Sequence, residues 1–267
     1  MRFDGRSAVV VGGATGQGRS CALRLARDGA AVLVVDADAD ACAAVCAEIE
    51  AFGGTARWEQ ADPGDASALQ RVAVELDESG ADVDVLVNNF MMLDWSYIED
   101  CDIEVFARVV QFNLVGPVAS TKAFLPLLKR SAHASVVHLG SFDGLFGNPR
   151  VPSYSASKGG YVPLTHVMAQ EFAKYDIRVN AIASGQTNQV HGADVVAAGT
   201  APTGLGPSWP GPEYHDQLSA ETPLHRFGTG EEWAGAAAFL ASDDASYVTG
   251  TVLVVDCGRT SITHGTR

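Results

Sequence analysis

The chain has 267 residues, 47% of them apolar, enough to enclose a substantial core, and α/β sheets of this length commonly form one domain. Its 18 basic and 32 acidic residues leave a formal charge of −14, so nucleic-acid phosphates and anionic lipid headgroups are not expected partners. The start, Met1-Arg2-Phe3-Asp4-Gly5-Arg6, is charged and leads into an apolar run too short to span a bilayer; with no secretory signal read there, the expected location is the cytoplasm.

The first apolar run, Ser7–Val11, reads as a strand and is followed by a glycine-rich turn and a helical pattern over Gly18–Asp28. A second strand, Ala31–Val35, ends at Asp36 and precedes a helix over Ala39–Phe52. Thr55–Gln60 is a weaker strand, with a helix over Ala66–Ser79. Val83–Val87, Ser135–Leu139, Arg178–Ile182 and Thr251–Val255 are further short strands rich in β-branched residues. Helices over Ile103–Leu128, Ser155–Lys174 and Glu231–Ala241 separate them. Strand–helix alternation with fully apolar strands predicts a parallel sheet covered on both faces, with right-handed crossovers. The expected architecture is therefore one doubly wound α/β domain of Rossmann type with seven parallel strands.

One stretch breaks the rhythm. Val190–Pro223 follows the sixth strand, and its Gly199–Pro212 portion is crowded with glycine and proline around Trp209. A long irregular insertion of this kind is either disordered or a lid over a site, and its position favours a substrate lid at about 190–223. Cys21, Cys42, Cys46, Cys101 and Cys257 lack metal-finger spacing and read as small apolar residues in a reducing compartment. The seven histidines are scattered, so no metal is expected.

The turn after the first strand is Gly12-Gly13-Ala14-Thr15-Gly16-Gln17-Gly18. Glycines mark many ordinary turns, but here they lie between a strand and a helix. In that context Gly12, Gly16 and Gly18 let the backbone approach a pyrophosphate, whose charge the free N–H groups of the helix start would stabilise. Asp36 lies a short distance beyond. A carboxylate there suits the two hydroxyls of an adenosine ribose and opposes a 2′-phosphate, favouring NAD over NADP; the alternative is a cap for the helix beginning at Asp38 or Ala39.

Tyr154 and Lys158 are four residues apart, which places them on one helical face. Tyrosine exchanges protons poorly near neutrality because its ordinary pKa is about 10, and a neighbouring ammonium would lower it. The spacing can arise by chance, and the pair alone decides nothing. Taken with the rest of the chain, however, it resembles the short-chain dehydrogenase/reductase family, in its compact single-domain branch. The resemblance runs from about Gly5 to Gly258. It rests on Gly12-x-x-x-Gly16-x-Gly18, Asp62 after the third strand, Asn88-Asn89 after the fourth, Asn113, and Ser141 thirteen residues before Tyr154. Arg178-Val179-Asn180-Ala181-Ile182, Pro223-Leu224-His225-Arg226-Phe227-Gly228 and Val255-Asp256-Cys257-Gly258 complete it.

The resemblance implies roles that spacing does not supply. Tyr154 would be the general acid/base while hydride passes to or from nicotinamide C4, and Ser141 would hydrogen-bond the substrate oxygen. Lys158 would bind the nicotinamide ribose and lower the pKa of Tyr154, and Asn113 would hold a water linking Lys158 to solvent. Cofactor contacts would come from Gly12, Gly16, Gln17 and Gly18, from Asp36, from Asp62 and Pro63, from Asn89 and Phe90, from Tyr154 and Lys158, and from Gly185 and Thr187. The implied activity is NAD-dependent oxidation of a secondary alcohol or reduction of a ketone, in a homotetramer packed through the helices Ile103–Leu128 and Ser155–Lys174. Walls at Phe90–Tyr97, Phe142–Val151 and the lid supply Met91, Met92, Trp95, Phe142, Phe146, Val190, Val195 and Trp209, which suit an apolar or cyclic substrate.

Several positions depart from the family. Val11 stands for threonine, Phe90-Met91 for Ala-Gly, Ser184-Gly185 for Pro-Gly, Gln189 for a threonine, and Cys257 for glycine. The bulk of Phe90 must be absorbed by a shifted backbone or a reshaped pocket. The rival readings are a non-catalytic NAD-binding sensor, an epimerase or dehydratase, and an NADPH-dependent reductase of acyl thioesters. The four polar residues Asn113, Ser141, Tyr154 and Lys158 oppose the first, a length that is not expected to leave room for a sizeable C-terminal substrate domain opposes the second, and Asp36 with the acidic surface opposes the third.

Overall fold

The computed structural model describes residues 1–186 and 219–261. Strands β1 (Ser7–Val11), β2 (Ala31–Asp36), β3 (Thr55–Gln60), β4 (Val85–Asn88), β5 (Ser135–Leu139), β6 (Arg178–Ser184) and β7 (Val252–Val255) form one sheet. Their order is β3-β2-β1-β4-β5-β6-β7, and every neighbouring pair is parallel. The sequence of crossovers reverses direction between β1 and β4, which opens the cleft at the carboxyl ends of those strands where ligands bind in such sheets.

Alternation along the strands explains why both faces are covered. Ala8 and Val10 of β1 enter one core with Val32, Val34, Val85 and Val87, whereas Val9 and Val11 enter the other with Leu33, Val35 and Leu86. The first core is closed by α1 (Gly16–Arg27), α2 (Ala39–Ala51) and the late helix α9 (Gly230–Ala241), through Cys21, Leu25, Ile49, Trp233 and Leu240. The second is closed by α3 (Ala66–Glu78), α5 (Gly116–Leu128) and α8 (Tyr161–Phe172), through Leu69, Val72, Phe124, Leu127 and Met168. Strand β3, at the edge, is mostly exposed, in keeping with its weak apolar signal.

Beyond shifts of a residue or two at the ends of elements, three features differ from the sequence reading. The helix expected over Ile103–Leu128 is α4 (Ile103–Val110), a π turn at Gln111–Val115, and α5. Pro117 has no N–H to give the Asn113 carbonyl four residues earlier, and the helix widens there. The helix expected over Ser155–Lys174 begins earlier and divides at Gly160 into α7 (Pro152–Gly159) and α8. A short helix α6 (Asp143–Phe146) was not expected. Of the cysteines, Cys21, Cys42 and Cys46 are buried, while Cys101 and Cys257 are half-buried. No described helix is long and apolar enough to cross a membrane. Thr187, Gln189 and most of the expected lid, including Val190, Val195 and Trp209, lie outside the described residues.

Candidate active site

The loop after β1 is shaped by close approaches that only glycine permits. Gly12 and Gly16 have φ of +74° and +54°. A β-carbon on Gly12 would lie 2.0 Å from the Asn89 carbonyl oxygen, and one on Gly18 would lie 2.0 Å from the Gly12 carbonyl oxygen. Gly13 is equally constrained, 2.7 Å from the Val10 oxygen by the same measure, a requirement the sequence reading missed. Asn89 closes the loop: its N–H donates to Val11 O at 2.9 Å and its side-chain Nδ2 to Gly12 O at 2.8 Å. Thr15, at the start of α1, makes no side-chain capping bond, and no acidic residue occupies the first helical turn. The cradle therefore fits a pyrophosphate, approached by bare backbone and faced by the positive end of a helix.

Asp36 ends β2 with its carboxylate over this loop, accepting from Ala14 N at 3.1 Å and Ala37 N at 2.8 Å. The cap of α2 is Asp38, which accepts from Ala41 N at 3.0 Å, so Asp36 is not the helix cap. Asp62 follows β3 and accepts from Gly64 N at 2.8 Å, with Pro63 buried beside it. Gly185 follows β6, where a β-carbon would meet Asp256 Cα at 2.6 Å. All of these positions lie just past the carboxyl ends of strands, on the rim of the cleft.

Phe90 is fully buried and belongs to the core beneath α5. Its ring packs on Phe112 with centroids 5.5 Å apart, over Gly116, where a β-carbon would come within 2.6 Å of it. The bulk expected to disturb the cleft is thus taken up by a glycine on the facing helix. What Phe90 offers the site is its carbonyl, which accepts from Lys158 Nζ at 2.6 Å; Leu139 O accepts from the same ammonium at 3.0 Å. Lys158 Nζ stands 5.7 Å from the Tyr154 ring centre, and burial lowers its pKa to about 7.

Asn113 sits fully buried in the π turn, where its side chain accepts from Met92 N at 2.7 Å and donates to Met92 O at 2.8 Å and Ser157 Oγ at 3.0 Å. It fastens the segment after β4 to α7. Ser141 follows β5, and its hydroxyl, hydrogen-bonded to Asp143, is near enough to the Tyr154 phenol to act on its pKa. Burial and the Asp143 carboxylate push the phenol above its ordinary value, and the Ser141 hydroxyl opposes them. That direction is the reverse of the lowering expected from Lys158. The lysine's proton is held by two backbone carbonyls, and burial together with the Asp143 charge disfavours the phenolate.

Asp143 and Asn148 are polar neighbours of this group that sequence reasoning passed over. Asp143 Oδ2 lies 3.3 Å from Ser141 Oγ, Asp143 N donates to that Oγ at 3.1 Å, and Asn148 Nδ2 donates to Asp143 Oδ1. Burial raises the pKa of this carboxyl, against the two hydrogen bonds and the charge of Arg259. A charged residue two places after Ser141, inside an otherwise apolar stretch, was the available signal. The two expected walls do meet: Ser96 N donates to Arg150 O at 2.8 Å, and Arg150 Nε to the Tyr97 hydroxyl at 2.9 Å. Trp95 and Phe142 are buried within them, while Met91 and Phe146 are exposed.

A family model described as enoyl-(acyl carrier protein) reductase matches residues 12–260. The chain belongs to the short-chain dehydrogenase/reductase family. It is 31% identical to 2-(S)-hydroxypropyl-CoM dehydrogenase 3 of Xanthobacter autotrophicus, over 98% of this chain and 99% of that protein. It is also 31% identical to a 3-oxoacyl-acyl-carrier-protein reductase of Thermotoga maritima, over 97% and 99% of the two chains. The solved structure of a putative gluconate dehydrogenase from Agrobacterium tumefaciens superposes with a TM-score of 0.88 at 30% identity, covering 98% of each chain. The protein is thus an oxidoreductase with a Rossmann-type fold, from a family that binds a nicotinamide cofactor.

Proposed function

We propose that this protein interconverts a secondary alcohol and a ketone with NAD as cofactor, and that Asn113, Ser141, Tyr154 and Lys158 carry the reaction. The observation that carries the reading is the convergence of Ser141, Tyr154 and Lys158, with Lys158 Nζ 5.7 Å from the Tyr154 ring centre, at the mouth of a glycine cradle. When bound, the nicotinamide supplies a two-electron acceptor or donor. The chain's own residues do the rest. The Tyr154 phenol gives a proton to the ketone oxygen, or its phenolate takes one from the alcohol. Ser141 hydrogen-bonds that oxygen where negative charge develops. Lys158 holds the nicotinamide ribose, and Asn113 fixes the Met92 backbone and Ser157 while its carbonyl orders a water toward Lys158.

Cofactor contacts in this reading come from Gly12, Gly16, Gln17 and Gly18 at the pyrophosphate, Asp36 at the ribose, and Asp62 with Pro63 at the adenine. Asn89, the Phe90 backbone, Tyr154, Lys158, Gly185 and Thr187 surround the nicotinamide end. We infer further one catalytic domain with a substrate lid at about 190–223, acting in the cytoplasm as a homotetramer. Exposed Ile103 on α4, Val115 in the π turn, Val118 on α5 and Val167 on α8 support an interface along those helices.

The experiment is Tyr154→Phe, assayed for alcohol oxidation with NAD and for NADH binding. Loss of the acid/base group should lower turnover by about a hundred- to ten-thousand-fold, with NADH bound as before. A variant that keeps most of its turnover would remove Tyr154 from the mechanism. The second reading, NADPH-dependent reduction of an acyl-thioester ketone, is favoured by the Thermotoga relative; acetoacetyl thioester reduced by NADPH faster than any simple ketone is reduced by NADH would select it.

A further inference from the structure

We propose that Asp143 selects a substrate with a second hydroxyl on the carbon next to the reacting one: a vicinal diol in oxidation, or an α-hydroxy ketone in reduction. The inference rests on the alcohol–ketone reading above and names the substrate class for that same site. The position of Asp143 is rigidly set. A β-carbon on its neighbour Gly144 would meet the Lys158 carbonyl carbon and oxygen at 2.4 and 2.5 Å, so α6 is pressed directly onto α7. Asn148 holds Oδ1, which turns Oδ2 toward Ser141 Oγ at 3.3 Å.

A carboxylate here works against the two catalytic acts when a substrate has only one hydroxyl. It draws the single Ser141 hydrogen toward itself, away from the reacting oxygen. It also opposes the Tyr154 phenolate, since two negative charges in a poorly solvated site repel. A second hydroxyl relieves the first conflict and eases the second by solvating the carboxylate charge. By donating to Asp143 Oδ2 it satisfies the carboxylate and frees the Ser141 hydrogen for the first oxygen. The two oxygens of a gauche vicinal diol stand about one hydrogen-bond length apart, close to the separation of Ser141 Oγ and Asp143 Oδ2. In the oxidation, the C–H bond of the reacting carbon breaks and its electron pair passes as hydride to the nicotinamide. The O–H proton goes to Tyr154, a C=O bond forms, and the neighbouring carbon keeps its hydroxyl.

The test compares matched pairs, cis-cyclohexane-1,2-diol against cyclohexanol and 1,2-dihydroxytetralin against 1-tetralol. Each is oxidised with NAD by the full-length wild type, Asp143→Asn and Asp143→Ala. The wild-type ratio of kcat/KM, diol over mono-ol, should be about ten to one hundred, the range for a hydrogen bond to a charged group. It should fall toward one in Asp143→Ala, with Asp143→Asn between, since an amide oxygen accepts without the charge. NADH binding reports that the variants are folded; if the alanine variant loses it, the ratio is read from Asp143→Asn. Mono-ols turned over with an unchanged ratio overturn the inference and leave the alcohol–ketone reading standing. No turnover of any pair, in either direction, overturns both.

Discussion

Lys158 shows what a single residue's surroundings do to its charge. Its ammonium is buried between the carbonyls of Phe90 and Leu139, and burial alone brings its pKa from an ordinary 10.5 to about 7. Between those two values the unfolded chain binds a proton at this position that the folded protein does not, so stability must rise with pH across the window. Unfolding free energies of the wild type and Lys158→Met, taken without cofactor from about pH 7 to 10, should therefore diverge in favour of the wild type. The limiting slope is about 1.4 kcal/mol per pH unit; parallel curves would show that the lysine stays charged. The four-residue spacing of Tyr154 and Lys158 was plain in the sequence. The two carbonyls were not, because they come from the end of β5 and the turn after β4, brought together only by strand pairing. Asp143 escaped for a related reason. Its meaning depends on Gly144 meeting the backbone of Lys158, a contact no local pattern announces.

Among the elements, α9 ends against a side chain from another part of the chain. Arg178, the first residue of β6, donates to Leu240 O at 2.6 Å, Ala241 O at 3.1 Å and Ser242 O at 2.9 Å, capping that helix with a cation at its negative end. Arg178→Ala leaves these carbonyls without the donor and should lower stability by about 3 kcal/mol, read from urea denaturation. A loss within about 0.5 kcal/mol would show that water replaces the guanidinium. Strand and helix identities were legible because apolar periodicity records burial directly: all seven strands were expected, and only their ends moved. The breaks inside long helices were less legible. The π turn needs Pro117 to be read as a missing donor to Asn113, and the division at Gly160 reflects a close approach, with a β-carbon there only 2.7 Å from the Leu114 side chain. Both breaks lie where the π turn and α7 meet, at the Asn113–Ser157 contact, so the irregular backbone belongs to the candidate site.

At the scale of the whole molecule, two kinds of negative charge bear on the choice between NADH and NADPH. One is the net charge of −14, spread over the surface; the other is Asp36, a single carboxylate at the lip of the glycine cradle. Salt separates them. The screening length falls from about 10 Å at 0.1 M to about 3 Å at 1 M, so repulsion by distant surface charge fades while repulsion at contact distance persists. We expect NADH to bind more tightly than NADPH in fluorescence titrations, and to raise the melting temperature further at equal concentration, since stabilisation follows occupancy of the folded state. The preference should survive at about 1 M salt and shrink in Asp36→Ala, and a basic residue placed at Ala37 should reverse it. A preference that vanishes with salt but withstands Asp36→Ala would assign cofactor choice to the acidic surface. Tighter binding of NADPH to the unaltered protein would remove Asp36 from ribose recognition altogether.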